Sequence, residues 1–200
     1  MRRLYRRIRY GEAVIVVSGL PRSGTSMAMQ MLAAAGVTTV TDGVRAAGED
    51  NPRGYFEDER VKEFHKDEED RSWLKDARGK VVKIISFLLK DLPKTNNYKV
   101  IFMRRDLAEV LASQQKMLDR REESNEIEDE KMLEIWQDHL WKVNYLLNHA
   151  DHLESLEIPY KDVVANPLEQ ARRMKDFLGL PLDPEQMAAA VDEKLYRNRA

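Results

Sequence analysis

Residues 14–26 read Val14-Ile15-Val16-Val17-Ser18-Gly19-Leu20-Pro21-Arg22-Ser23-Gly24-Thr25-Ser26, and their order decides the fold. Apolar β-branched side chains on successive positions suit a strand buried on both faces of a parallel sheet, expected here over 12–18. The segment from Gly19 to Gly24 breaks that run. Residues 25–35 are good helix formers, with Met27, Met31, Leu32 and Ala35 on one face and Gly36 as a stop signal. The two glycines have the spacing of a Walker A loop, G-x-x-x-x-G-K-[ST], with Thr25 in place of the lysine. Glycines let the backbone turn its N–H groups inward around an anion, and the helix N-terminus that follows adds its own unpaired donors and dipole. Arg22 is the candidate replacement cation, Thr25 and Ser26 offer hydroxyls, and the backbone from Pro21 through Ser23 and Gly24 to Ser26 forms the cradle. Loss of the lysine that reaches the β and γ phosphates argues against ordinary nucleotide hydrolysis. The competing reading is a tight strand-to-helix turn that happens to carry an arginine.

Working outward, further strands are expected at 81–85, 99–103 and 156–160, alternating with helices at 106–120, 129–149 and 167–178. Such alternation predicts an α/β chain: a P-loop-type three-layer fold with a mostly parallel sheet flanked by helices. The last helix has legible ends, with Asn166 as N-cap, Pro167 in the first turn and Gly179 just past the end. Residues 119–130 read as a solvated helix extension or loop. No internal repeat or Gly/Ser linker divides the chain, so one domain is expected over 11–200. Before it, residues 1–10 carry Arg2, Arg3, Arg6, Arg7 and Arg9 and read as a solvated basic arm, with contact to a membrane surface or nucleic acid as the minority reading. The apolar run behind the arm is too short for a secretion signal.

Composition narrows the function classes. Of 200 residues, 33 are Lys or Arg and 35 Asp or Glu, a net charge of -2 that provides no basic field for a nucleic-acid partner. The absence of cysteine excludes a thiol nucleophile, a thiolate metal site and any disulfide, which makes a cytoplasmic location the default. No apolar run approaches the roughly 18 residues of a membrane span. Of the four histidines, His149 and His152 are three apart without a third ligand; with His65 and His139 they are expected on helix surfaces, and no metal is predicted. Met132, Ile135, Trp136, Leu140, Val143 and Leu147 repeat at helical spacing and are expected in the core.

A second cationic site follows residues 99–103, where an apolar strand runs into Arg104 and Arg105 and a helix carrying Ser113 follows. Ligands of open α/β sheets bind at such carboxyl ends of strands. A planar guanidinium grips a phosphate through two bonds, and a serine can add a third. The alternative pairs Arg105 with Asp106 or Glu109 and lets Ser113 bond back into its own helix.

These residues carry a family resemblance. Pro21-Arg22-Ser23-Gly24-Thr25-Ser26 resembles the 5′-phosphosulfate loop of sulfotransferases, whose donor is 3′-phosphoadenosine 5′-phosphosulfate (PAPS), with Arg22 as a variant of the usual lysine. The eight-residue spacing of Arg105 and Ser113 resembles that of the pair holding the donor's 3′-phosphate in that family. Residues 160–181, YKDVVANPLEQARRMKDFLGLP, resemble a segment near the family's C-terminal end, in which Tyr160 matches a tyrosine beside the adenine. Many members have a catalytic histidine seven residues before a proline, a position held here by Ser86. Asn51-Pro52-Arg53-Gly54-Tyr55-Phe56-Glu57 looks like the NPxGxxE stretch of other branches, which implies Glu57 as first candidate base, with Asp42 second. Lys83 resembles the lysine that neutralises charge on the bridging oxygen, although it lies three residues from Ser86 where the family spacing is two. Arg197 and Arg199 are candidates to complete the 3′-phosphate site.

The resemblance implies transfer of a sulfuryl group from PAPS to a hydroxyl or amine on a small-molecule or polymer acceptor, with Arg22, Glu57 and Lys83 catalytic and no metal required. Two other readings stay open: a small kinase or nucleotide hydrolase with a displaced cation, and a non-catalytic nucleotide-binding protein on the same fold. Neither the acceptor nor the oligomeric state is legible in the sequence.

Overall fold

Val14 and Val16 face one side of strand β1 (Ala13–Gly19), Ile15 and Val17 the other, and all four are buried. This alternation in a strand without a wet face sets up the layers of the computed structural model, which describes residues 2–42, 56–66, 70–121 and 127–192. Among the described residues the sheet has four strands in the order β2-β1-β3-β4, with β2 (Val81–Lys83), β3 (Asn97–Arg104) and β4 (Leu153–Pro159). All three pairings are parallel, with Val17 opposite Lys83 on one side and Ile101 on the other.

Helices cover both faces, as the three-layer expectation requires. On the Ile15 and Val17 side the core takes in Met29, Met31 and Leu32 of α2 (Thr25–Ala34), Met174 and Leu178 of α7 (Pro167–Leu178) and Met187 of α8 (Pro184–Ala189). Across the sheet, Val14, Val16 and Val100 pack with Val61 of the one-turn helix α3 (Glu59–Lys62) and Val143 of α5 (Asp129–His149). A third cluster joins Leu20 of the glycine loop to Val110 and Leu111 of α4 (Leu107–Arg121) and Trp136 of α5. It ties the two long helices to the loop at the carboxyl end of the sheet.

Several boundaries differ from expectation for identifiable reasons. β2 ends at Lys83 rather than 85, because the chain turns there into a 3-10 segment, Ser86–Asp91, leaving Ile85 exposed. β4 ends at Pro159, which has no N–H to extend a ladder, so Tyr160 opens α6 (Tyr160–Ala165) instead of finishing a strand. Asn166 occupies the cap position of α7, but its side chain makes no capping hydrogen bond, since it also terminates α6. Pro167 and the left-handed Gly179 bound α7 as expected. Trp136 and Val143 of the α5 stripe are buried, whereas Ile135 is exposed: a neighbour about 100° around the axis falls off a narrow contact seam. The basic arm is the helix α1 (Arg2–Tyr10), joined to β4 by Arg6 to Glu154 at 3.7 Å and to the segment before β2 by the Arg78 side chain donating to Tyr10 O at 3.0 Å.

Among the described residues no helix is long and apolar enough to cross a membrane.

Candidate active site

The loop between β1 and α2 is built for close approach. A Cβ on Gly19 would lie 2.4 Å from Ser23 Oγ and 2.7 Å from Met103 O, so only glycine lets β1 leave the sheet against β3. Ser23 closes the turn, its hydroxyl donating to Leu20 O at 2.7 Å and its N–H to the same oxygen at 3.2 Å. Arg22 adopts φ 67° and Gly24 φ 95°, the left-handed region that reverses the chain into α2. The first N–H groups of α2 have no partner inside the helix and open toward this loop.

Two groups of side chains flank it. On the β3 side, Arg22 Nε donates to Ser113 Oγ at 3.1 Å, and Arg105 Nη1 donates to Arg22 O at 3.1 Å. Arg105 Nε also donates to Glu109 Oε2 at 2.8 Å, and its guanidinium lies 4.5 Å from the centre of the Tyr160 ring. Burial raises the Tyr160 hydroxyl's pKa above its usual value, an effect that Arg105 partly offsets. Pro21, Arg22, Ser23, Gly24, Thr25 and Ser26 thus share one neighbourhood with Arg105, Ser113 and Tyr160. The sequence alternative for Arg105 also holds: it pairs with Glu109 and reaches the loop with a second nitrogen. Ser113 does not bond back into its helix by this contact; it receives Arg22. Glu109, named from the sequence as an alternative partner of Arg105 and not as a site residue, sits one helical turn from it and joins the group through this pair.

On the β2 side, Lys83 Nζ donates to Glu57 Oε1 at 3.1 Å and to Ser26 Oγ at 3.3 Å. Lys83 shares the face of β2 with Val81, which points it at α2, and its side chain is only 8 % exposed. The spacing mismatch noted above therefore does not keep this lysine from the loop. Asp42 has a different position: Oδ2 accepts from Glu59 N at 2.6 Å and holds the start of α3. Of the stretch Asn51 to Glu57, residues 51–55 lie outside the described residues, as do Arg197 and Arg199.

Two histidines depart from the expected helix surface. His152 is buried at the start of β4, edge-on to Tyr98 with ring centres 6.0 Å apart. His139 turns inward from α5, its Nε2 2.9 Å from Ser86 Oγ and its ring stacked on Phe87. In both, burial lowers the pKa below the ordinary histidine value. Among the described residues no group of three or more His, Asp or Glu is arranged to hold a metal.

A sequence model described as the sulfotransferase family matches residues 54–184, well over half of the chain. The chain belongs to the sulfotransferase family. The fold of this sulfotransferase is shared with solved relatives at low identity. Sulfotransferase STF1 from Mycobacterium tuberculosis H37Rv aligns with TM-score 0.60 and 13% identity over 94% of this chain and 75% of its own. The sulfotransferase domain from the curacin biosynthetic pathway gives 0.53 and 16% over 92% and 89%, and STF9 from Mycobacterium avium 0.55 and 14% over 90% and 66%. Comparison with curated protein sequences gives no match.

Proposed function

We propose that this sulfotransferase uses PAPS as donor and passes its sulfuryl group to a hydroxyl or amine, with Arg22, Lys83 and Arg105 as its principal cations. The observation that carries the reading is the convergence of Arg22, Arg105, Ser113 and Tyr160 on one flank of the glycine loop while Lys83 reaches the other through Ser26. A loop that glycines at 19 and 24 let close tightly against Ser23, Met103 and Tyr160, edged by guanidinium and ammonium groups, suits a ligand with anionic groups at two places.

In this reading Arg105 and Ser113 hold the 3′-phosphate and Tyr160 lies beside the adenine. The loop N–H groups and Arg22 hold the phosphosulfate and stabilise charge that builds on its oxygens. Lys83 faces the bridging oxygen that leaves with the phosphate. Glu57 is the candidate that the resemblance supplies for taking the acceptor's proton, and its contact with Lys83 equally suits it to hold that lysine in place. In the same reading the chain is one domain behind a basic helical arm, with a small molecule or an accessible group on a polymer as acceptor. A cysteine-free composition accords with a reducing cytoplasm.

Calorimetric titration with 3′-phosphoadenosine 5′-phosphate (PAP), ADP and Mg-ATP tests the donor assignment. Preference for PAP that disappears in Arg105→Ala supports it. Equal or tighter binding of Mg-ATP overturns it in favour of a nucleotide kinase or hydrolase.

A further inference from the structure

Ser86 and His139 are 53 residues apart in sequence and meet at 2.9 Å. Ser86 opens the 3-10 segment three residues beyond Lys83, at the same carboxyl end of β2 that carries the Lys83 contacts to Glu57 and Ser26. Nothing in the donor chemistry above uses this pair. The ring of His139 lies nearly parallel to Phe87, 3.8 Å between centres and 10° between planes, so its orientation is set by stacking as well as by the hydrogen bond. Phe87 in turn packs against the cluster of Leu20, from the glycine loop, and Trp136, with Leu140 beside it. The histidine is therefore braced, through Phe87, against the cluster that includes Leu20 of the glycine loop.

We propose that His139, held through Nε2 by Ser86, takes the acceptor's proton, leaving Glu57 to hold Lys83. This rests on the sulfotransferase reading of the site and assigns its acceptor side. With Nε2–H donated to Ser86 Oγ, Nδ1 carries the lone pair, and among the described residues it has no hydrogen-bond partner. Burial lowers the pKa of this imidazole. Of the charged groups around it, Lys142 on its own helix and Lys90 on the 3-10 segment act in the same direction and Asp138 opposes them. The ring is thus neutral near pH 7 and ready to accept. In the transfer, the acceptor oxygen forms its bond to sulfur as its proton passes to Nδ1. The bond from sulfur to the donor's bridging oxygen breaks, and its electron pair leaves with the phosphate beside Lys83.

A ring that only pins α5 to the 3-10 segment would share this geometry, so the test separates the two roles. Nitrogen-resolved NMR of the His139 ring, followed against pH with and without saturating PAP, needs no acceptor. An anion bound at the adjoining loop is expected to raise the ring's titration midpoint by about half a unit or more. PAP that binds without moving His139 overturns the proposal and leaves the donor site standing. Absence of PAP binding overturns both.

His139→Gln supplies the second arm, because the glutamine amide can still donate to Ser86 but has no titrating nitrogen. Expected are an unchanged Tm and PAP affinity, with transfer of radiolabelled sulfuryl from PAPS to 2-naphthol reduced about 100-fold. The acid limb of kcat/KM should vanish with it. A variant that transfers at the wild-type rate with the wild-type pH profile overturns the proposal.

Discussion

Gly24 and Tyr160 approach so closely that a Cβ at position 24 would sit 2.4 Å from Cδ2 of the tyrosine ring. The ring occupies the space a side chain would need, and on its other contact it meets the Arg105 guanidinium at 4.5 Å. Loop, ring and cation therefore form one stacked unit, in which the absence of a side chain at residue 24 sets the position of a cation contributed by the turn between β3 and α4.

Gly24→Ala is expected to damage this unit twice, through the clash and through the left-handed φ of 95°. The cost should be about 1–3 kcal/mol, or roughly 2–10 °C in Tm for a chain of this size. Scanning calorimetry of Gly24→Ala in the wild-type and in the Tyr160→Ala background, each against its own parent, separates the two causes: with the ring gone the clash is relieved and the backbone strain remains. A substitution cost that vanishes entirely in the Tyr160→Ala background would assign it to the ring contact.

Arg105→Lys should weaken PAP binding by about tenfold and Arg105→Ala by more. An ammonium keeps the charge but cannot bond the Arg22 carbonyl, Glu109 and a phosphate with one planar group. Calorimetric affinities check this, and a lysine variant that binds PAP like the wild type would show that charge alone suffices.

Lys83→Met and Glu57→Gln are expected to differ. Removing the ammonium takes away a charge from the leaving oxygen and should lower kcat by about 100-fold with PAP affinity little changed. The glutamine retains an oxygen for Lys83 Nζ at its present 3.1 Å position and should cost about tenfold or less, with the acid limb of the pH profile intact. Loss of that limb in Glu57→Gln would return the role of proton acceptor to the carboxylate.

His152 predicts a pH dependence of stability. Burial holds its folded pKa below the unfolded value near 6.5, so the unfolded chain binds the extra proton first. Its contribution is complete above that unfolded value and is lost progressively as pH falls through the folded pKa. His139 acts in the same direction. Urea unfolding from pH 8 to 5 should show declining stability, with a shallower slope in His152→Gln. An identical slope in the variant would remove His152 from the account.

Local order carries most of the architecture. The β-branched run at 14–17, the paired glycines and the helix-forming stretch behind them define the β1–loop–α2 unit without reference to the rest of the chain, because burial on two faces and left-handed turns constrain residue type strongly. The extent of α5 and the ends of α7 were equally legible, from apolar periodicity and from Pro167 and Gly179. Arg22 stood out as the cation inside the glycine loop, and Arg105 and Ser113 through a spacing that resembles the sulfotransferase pair. Their mutual contacts could not, because each joins elements 83 or 91 residues apart in the chain.

Tertiary structure alone decided three further matters. It brought Lys83 to Ser26 and Glu57, since a strand's facing depends on the register of its neighbours and not on a count from Ser86. It divided the carboxylates, sending Asp42 to the start of α3 and Glu57 to Lys83. It also turned His139 inward to Ser86, where a single histidine beside the apolar stripe of an amphipathic helix carries no local mark of its partner. Local sequence determines the scaffold through propensity and burial pattern, whereas the pairing of side chains across the loop arises only when separate strands and helices pack.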